Sequence, residues 1–359
     1  MNELFFELIR LSIGSQSSLS HQPTEKEWKR LYDMALKQSL VGICFAGVRK
    51  LCDSDAEYYH GMTEMQYLVW MGMAAKIQQR NQEMDAWTKE ALAYFREKGY
   101  PCQVLKGQGI AKLYGDLACL RQSGDIDVWL VGGREKVYQL SRDVLGRITG
   151  ANYHHIHFPI WEDCEIEAHI YPSFLSSPYR NWQLHRFCKI HEPKDYRQDF
   201  PQIVFNLVFI MLHCYRHLCG HGVGIRQVMD YYFVLKTQSA HPLRWEEKNE
   251  TLKWCKRLGM GRFIGAMMWV MKEMFALEDK YLLCEPDEKE GKFLLNEIMN
   301  TGNMGRGDTR FQWGQKSALG RFVAAQKRNL HLMTHYPHEV LWSPMFNIWR
   351  FFWLKTKGL

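Results

Sequence analysis

Three features of other protein classes are missing from this sequence of 359 residues. The ten cysteines are scattered, and no two of them form a C-x-x-C pair. The first residues include Glu3 and Glu7, where a secretory signal needs basic residues. We therefore expect reduced thiols in a cytoplasmic protein. The longest apolar run, 203–212, is broken by Asn206 and is too short to span a bilayer, which predicts no transmembrane segment.

Concentrated basic segments are also missing. The formal net charge of +7 is spread along the chain, and no block of lysines or arginines resembles a nucleic-acid-binding tail. The surplus fits a polyanionic substrate such as a nucleoside triphosphate, but it is too small to specify a partner. Aromatic residues are plentiful instead: 19 Phe, 17 Tyr and 13 Trp can fill a large core, which excludes a disordered chain.

The periodicity of the chain changes twice. Residues 1–97 are helical in pattern, with a capping box from Thr24 to Glu27 and a long helix over about 58–97. The pattern of residues 98–178 predicts a small α/β unit, and the pattern of residues 179–359 is helical again. Short strands are predicted at 102–105, 125–131, 153–160 and 165–170. The sequence therefore predicts an α+β fold, with a central α/β core flanked by N-terminal and C-terminal helical regions.

The C-terminal stretch 340–354 is rich in aromatic residues and is followed by Lys355 and Lys357. Such a helix could lie on a membrane surface. We expect instead that it packs into the protein core.

The most informative motif is Gly124-Asp125-Ile126-Asp127-Val128. Because side chains alternate along a strand, Asp125 and Asp127 point to the same face. Two adjacent carboxylates repel each other and are costly to desolvate. Mg²⁺ removes that cost by binding carboxylate oxygens together with substrate phosphates. The motif thus suggests metal-dependent phosphoryl or nucleotidyl transfer, although an edge strand with a solvated acidic face has the same pattern.

Two further segments could complete such a site. In the strand predicted at 165–170, Glu167 shares a face with Glu165 and His169, and a third carboxylate can bind metal and accept a proton from an attacking hydroxyl. Upstream, Lys106-Gly107-Gln108-Gly109 leaves a strand and opens a helix, where backbone N–H groups can approach a phosphate. Alternatively, the strand has a solvated face and the glycines only make the turn.

Together, these motifs resemble the nucleotidyltransferase superfamily related to DNA polymerase beta. The closest likeness is to the bacterial "uncharacterised nucleotidyltransferase" family. The likeness is carried by Leu105-Lys106-Gly107, Arg121-Gln122-Ser123-Gly124-Asp125-Ile126-Asp127, Ile166-Glu167-Ala168-His169 and Gly222-Val223-Gly224-Ile225-Arg226-Gln227-Val228-Met229-Asp230-Tyr231. The resemblance implies a minimal nucleotidyltransferase mixed sheet.

The same resemblance implies the site residues. Asp125, Asp127 and Glu167 would be the catalytic carboxylates and would bind two Mg²⁺ ions. Nucleotide contacts would come from Lys106, Gly107, Gln108, Arg121, Ser123, Gly124 and Arg226. Gln108 stands where the superfamily usually has a serine, and Glu167 stands where this family often has an aspartate.

The implied reaction transfers a nucleoside monophosphate from a nucleoside triphosphate, such as ATP, to a hydroxyl and releases pyrophosphate. The acceptor would be an unknown small molecule, sugar or protein. Two alternatives stay open at this point. One is an RNA-directed transferase, which the dispersed basic charge does not favour. The other is a non-catalytic nucleotide-binding or interaction module, which the Gln108 and Glu167 departures suggest.

Other polar residues allow two interpretations each. His213, His217 and His221 recur every four residues, and we expect them to face a polar cleft rather than bind zinc, because glycines end the helix near the third. His154, His155 and His157 are interpreted as chance alternation. Arg226 and Asp230 form either an i,i+4 ion pair or part of the active-site wall. Arg121 binds either phosphate or one of the two aspartates.

Overall fold

The computed structural model describes residues 2–54, 60–161, 163–193, 199–236, 243–305, 307–311 and 317–357. Within these residues the strands are β1 (Cys102–Val104), β2 (Ile126–Leu130), β3 (His155–His157) and β4 (Ile166–His169). The helices are α1 (Asn2–Ile13), α2 (Glu25–Gln38), α3 (Val41–Ser54), α4 (Glu64–Glu97), α5 (Gln108–Ala111), α6 (Gly133–Leu145), α7 (Pro178–Ile190), α8 (Ile203–Cys219), α9 (Ile225–Lys236), α10 (Trp245–Arg257), α11 (Gly261–Phe275), α12 (Glu288–Thr301), α13 (Ala318–Leu332), α14 (Pro337–Val340) and α15 (Ser343–Thr356).

The predicted α+β fold is confirmed. The four strands form one mixed sheet in the order β1-β2-β4-β3, in which β2 and β4 are parallel and the other two pairs are antiparallel. The third strand is shorter than predicted, since only 155–157 pair with β4. The predicted start of the long helix at residue 58 lies outside the described residues, and α4 itself begins at Glu64 with a capping box from Thr63 to Gln66.

The two faces of the sheet have different partners. Ile126, Val128 and Leu130 of β2 belong to an apolar cluster on the back face, together with residues of α4 and α6. Asp127 and Trp129 point to the front, where Trp129 stacks on Phe205 of α8 with 5.5 Å between the ring centroids. The carboxylate therefore lies between the sheet and the C-terminal helices.

The helices form a second apolar cluster that combines both ends of the chain. It includes Phe5 of α1, Trp28 of α2 and Phe263 of α11, all of them fully buried. The predicted capping box at the start of α2 is confirmed, because Thr24 accepts from the Glu27 N–H and the Glu27 side chain accepts from Thr24. The division into regions 1–97, 98–178 and 179–359 remains a prediction.

The C-terminal helix differs from its prediction. None of the residues of α15 is fully buried, so the expected core-packing helix is wrong. One side of α15 contacts the edge of the sheet domain, since Phe346 stacks on Phe174, while Ile348 and Phe352 are more than half exposed. Among the described residues, no helix is both long and apolar enough to cross a membrane.

Candidate active site

The three predicted catalytic carboxylates meet on the front face of the sheet. Asp127 lies in β2, and Glu167 lies directly opposite it in the parallel strand β4. Asp125 immediately precedes β2 and, being two residues from Asp127, projects to the same side. Asp127 is completely buried, whereas Asp125 and Glu167 are partly exposed. Strand register thus places Asp127 beside Glu167, which lies 40 residues further along the chain.

Lys106 compensates part of this negative charge. Its Nζ lies 3.0 Å from Asp127 Oδ1 and 3.5 Å from Asp125 Oδ2. Burial alone would lower the pKa of Lys106, but the nearby carboxylates reverse this effect and raise it. The Lys106 charge in turn lowers the pKa of Asp125 more than burial raises it. The lysine is therefore charged, and so is the aspartate beside it.

His169 supplies a second cation. Its Nε2 lies 2.8 Å from Asp127 Oδ1 and 3.2 Å from Glu167 Oε2, and its Nδ1 lies 3.3 Å from the Tyr171 carbonyl oxygen. Both ring nitrogens thus face acceptors, which requires the imidazolium form. Burial opposes this form, but the hydrogen bonds to the two carboxylates raise the pKa of His169 to about 9. The same bond lowers the pKa of Glu167 against the effect of burial.

One carboxylate oxygen still lacks a partner. Asp127 Oδ2 is buried and accepts no hydrogen bond from the described residues. A buried oxygen without a donor costs about 1–3 kcal/mol, and more when it is charged. Oxygen donors of this kind, on neighbouring carboxylates, are the ligands that Mg²⁺ prefers. Asp127 and Glu167 offer carboxylate oxygens within 4.8 Å of one another, so these two residues fit a divalent cation.

A separate, fully bonded network lies beneath the carboxylates. Arg121 donates from Nε to Asp230 Oδ1 at 2.6 Å and from its second terminal nitrogen to Asp230 Oδ2 at 2.7 Å. Tyr114 also donates to Asp230 Oδ1, at 2.7 Å. The alternative in which Arg121 pairs with Asp125 or Asp127 is therefore wrong, and so is the alternative of an i,i+4 ion pair between Asp230 and Arg226.

The same network contains two more of the predicted nucleotide contacts. Ser123 donates to Gln108 Oε1 at 2.5 Å and accepts from Arg121 at 3.1 Å. The amide nitrogen of Gln108 is directed to Asp85, at 2.8 Å. Gln108 is only 2% exposed, and its side chain is therefore used to hold the loop that precedes Asp125.

The glycines and Arg226 lie nearer to the open space. Gly107 has a φ of 56°, and a Cβ added there would lie 3.3 Å from the Asp125 carbonyl oxygen, so this turn requires glycine. Gly107, Gly124 and Arg226 all line the cavity in front of the sheet. Burial, followed by repulsion from Arg121, lowers the pKa of Arg226, which a bound anion would reverse.

This cavity has a volume of about 1020 Å³ and extends from the carboxylates to α8, α9, α13 and α15. His213, His217 and His221 line it, as expected for a polar cleft. Burial lowers the pKa of His213 and His217 well below the ordinary value, so both are neutral. Arg216 also faces the cavity, with its guanidinium 3.5 Å from the centroid of the Phe174 ring.

Sequence reasoning missed the histidines of β3. The alternation of His154, His155 and His157 was interpreted as chance. This interpretation is wrong for His155, because its Nδ1 lies 3.2 Å from Glu167 Oε2. His157 lies directly opposite Glu167 in the antiparallel pair of β3 and β4. The signal was the His-x-His spacing itself, which places both side chains on one face of a strand.

Comparison with known proteins agrees with this geometry. A family model described as "Uncharacterised nucleotidyltransferase" matches residues 24–276, a span that includes the whole sheet, the carboxylates and Arg226. Neither the curated proteins nor the solved structures that were compared gave a match. The motif resemblance is thereby confirmed over most of the chain, and the protein belongs to this family of uncharacterised nucleotidyltransferases.

Proposed function

We propose that the protein transfers a nucleoside monophosphate from a nucleoside triphosphate to a hydroxyl of an acceptor, with release of pyrophosphate. The observation that carries this proposal is the unpartnered buried oxygen of Asp127 beside Asp125 and Glu167. The three carboxylates face fewer cations than their own number, and Asp125 and Glu167 line a large cavity. This arrangement favours a cation and an anionic substrate over a purely structural role.

Asp125, Asp127 and Glu167 would hold the two Mg²⁺ ions that the family resemblance implies. When bound, the metal would lower the pKa of the acceptor hydroxyl and neutralise the departing pyrophosphate. Glu167 is ionised because its pKa is lowered, so its carboxylate is ready to accept the hydroxyl proton. In the transfer, the acceptor oxygen bonds to the α-phosphorus while the bond from that phosphorus to the bridging oxygen of pyrophosphate breaks.

Charge and position come from the surrounding residues. Lys106 and Arg226 are the cations that we assign to the triphosphate, because Lys106 lies among the carboxylates and Arg226 lines the cavity. Gly107 and Gly124 let the backbone approach the phosphates closely. Gln108, Arg121 and Ser123 act on the nucleotide indirectly, by fixing the loop that carries Asp125.

The acceptor would enter through the part of the cavity between α8 and α15. Arg216 and Arg350 line this part together with Ser343 and Asn347, so it offers hydrogen-bond donors and positive charge. It is a concave site rather than a long basic surface, which favours a small molecule, a sugar or an extended protein segment over RNA.

The test is release of pyrophosphate with Mg²⁺ and each of the four ribonucleoside triphosphates, with and without pooled cell metabolites. We expect release that depends on one preferred triphosphate and on an acceptor in the pool. The control is the double variant Asp125→Asn/Asp127→Asn, which should release none while keeping its circular-dichroism spectrum. Equal release by the double variant would contradict the assignment. Nucleotide binding without release under any condition would favour the non-catalytic module.

A further inference from the structure

The front face of the sheet carries imidazoles as well as carboxylates. His155 and His157 are two residues apart in β3 and therefore project to the same side. Glu167 of β4 is the register partner of His157. One ligand atom from each of these three side chains lies within 4.8 Å of the other two. This is a spacing at which a single ion can be shared.

The donor set differs from that of the aspartates. Mg²⁺ takes oxygen ligands almost exclusively, whereas imidazole suits Zn²⁺ and other first-row transition metals. Two histidines and one carboxylate also leave a fourth position open, as in catalytic zinc sites. We propose that His155, His157 and Glu167 form a second metal site, selective for a transition-metal dication such as Zn²⁺, which shares Glu167 with the predicted magnesium site.

The two histidines differ in burial and in the carboxylate that each contacts. His155 is buried, and its Nδ1 lies 3.2 Å from Glu167 Oε2, so its ring is already held beside the carboxylate that the site would share. His157 is more open, and its Nδ1 lies 2.9 Å from Glu165 Oε1. A histidine that donates one ring N–H to a carboxylate presents its other nitrogen as a ligand, which is the usual outer-shell arrangement at zinc.

A neighbouring combination of ligands is weaker. His154, His155 and His169 also have ligand atoms within 4.8 Å of one another. However, His169 uses Nε2 to donate to Asp127 at 2.8 Å, so it is held as an imidazolium and carries no free lone pair there. Three histidines would in addition supply no negative charge to a dication. Glu167 gives the proposed site the charge that this alternative lacks.

The proposal is tested with the metal alone. The metal-free full-length protein, kept reduced, is titrated with Zn²⁺ by calorimetry and with Co²⁺ by visible absorption. We expect one site per chain and Co²⁺ d–d bands typical of nitrogen and oxygen ligands. His157→Ala should weaken Zn²⁺ binding at least about 100-fold, which exceeds the ~10- to 100-fold typical of losing an outer-shell partner. Intense near-ultraviolet bands from cysteine thiolates would overturn the assignment.

Two control variants locate the metal. His21→Ala removes a surface histidine that lies 3.4 Å from Glu27 but belongs to no group of three possible metal ligands among the described residues. This variant should bind Zn²⁺ like the wild type. Asp125→Asn should keep the Zn²⁺ site. If Asp125→Asn lost binding while His157→Ala kept it, the metal would lie on the aspartates and the proposal would fail. Because Glu167 belongs to both sites, the proposal rests partly on the proposed function, but zinc binding and pyrophosphate release are separate readings that can fail independently.

Discussion

Two buried clusters of charged side chains differ in how completely their carboxylates are paired with hydrogen-bond donors. The first, here called the sheet cluster, comprises Lys106, Asp125, Asp127, Glu167 and His169. Three carboxylates face two cations, and Asp127 Oδ2 has no hydrogen-bond donor among the described residues. The cluster also forms part of the wall of a cavity of about 1020 Å³.

The second, here called the helical cluster, comprises Glu297, Asp308, Arg310, Arg328 and His331. Arg310 donates to both oxygens of Glu297, at 2.7 and 3.0 Å, and to both oxygens of Asp308, at 3.0 Å each. Arg328, which is fully buried, adds a bond of 3.3 Å to Asp308. Every carboxylate oxygen here has a donor within the protein.

The two clusters contain similar residue types and differ in how far their carboxylates are neutralised. Both clusters bury carboxylates beside basic residues, which is expensive unless charges and hydrogen bonds are matched. The helical cluster is matched internally, so its role is to join α12 to α13. The sheet cluster has more carboxylates than cations and lines an open cavity, an arrangement that a bound cation would neutralise.

The largest effect is expected on turnover, and it separates the two clusters directly. Asp127→Asn should lower pyrophosphate release at least about 100-fold, because removing one group that stabilises developing charge typically costs 10²–10³ in rate. Asp308→Asn should leave the turnover of the folded protein unchanged. Steady-state assays on both variants, normalised to folded protein, measure this. Similar losses of turnover in the two variants would contradict the distinction between the two clusters.

The second effect is on stability, and here we expect the larger loss in the helical cluster. Glu297→Ala leaves Arg328 fully buried with one carboxylate fewer, and breaking such a buried pair typically costs about 3–5 kcal/mol. Asp125→Ala removes a side chain that is 41% exposed and should cost less than about 1 kcal/mol. Urea unfolding of the two variants gives the comparison. A larger loss in Asp125→Ala would contradict the structural role of the helical cluster.

A smaller effect concerns the bonded network beneath the sheet cluster. Tyr114→Phe deletes a hydrogen bond to the charged Asp230 and should lower the free energy of unfolding by about 1.5–3 kcal/mol. Tyr231→Phe is a matched control, because the buried Tyr231 hydroxyl has no hydrogen-bond partner among the described residues. The control should be neutral or stabilising, and equal losses in the two variants would show that the Asp230 bond contributes nothing.

The smallest effect is a difference in acid sensitivity. Burial raises the pKa of Glu297 and of Asp308, but the hydrogen bonds from Arg310, the charges of Arg310 and Arg328 and, for Glu297, a hydrogen bond with His331 together lower each pKa below its ordinary value. Groups with a lowered folded pKa stabilise the protein above their unfolded pKa values, near 4, and this contribution is lost as the pH falls through the folded values. Glu297→Gln should therefore show a shallower loss of stability below pH 4 than the wild type, measured by urea unfolding. An unchanged slope would contradict the shift.

The sequence could predict which side chains of the site share a face of a strand, because these residues alternate with a period of two. Asp125 and Asp127 alternate in a strand, and Glu167 lies in a second strand with an apolar back, so the shared face of each was predictable. The two patterns say nothing about register, and the pairing of Asp127 with Glu167 depends on how β2 and β4 align. The family motifs supplied that link.

Contacts between distant segments were not predictable in the same way. Because Asp230 and Arg226 lie on one helix, their spacing allowed an i,i+4 ion pair, yet the partner of Asp230 is Arg121, 109 residues away. Local spacing favours the i,i+4 pair by only about 0.2–0.5 kcal/mol, whereas a bidentate buried pair is much stronger. The exposure of α15 was also not predictable, because aromatic residues occur both in helices that pack into a core and in helices that lie on a surface.

The most direct test of the account is whether the sheet cluster binds a metal–nucleotide complex. Calorimetric titration with α,β-methylene analogues of the four ribonucleoside triphosphates, each with and without Mg²⁺, measures this without turnover. We predict saturable binding of at least one analogue that requires Mg²⁺, is lost in Asp125→Asn/Asp127→Asn and is retained in Asp308→Asn. Binding that is equal in the wild type and in the double aspartate variant would contradict the claim that these carboxylates are the site.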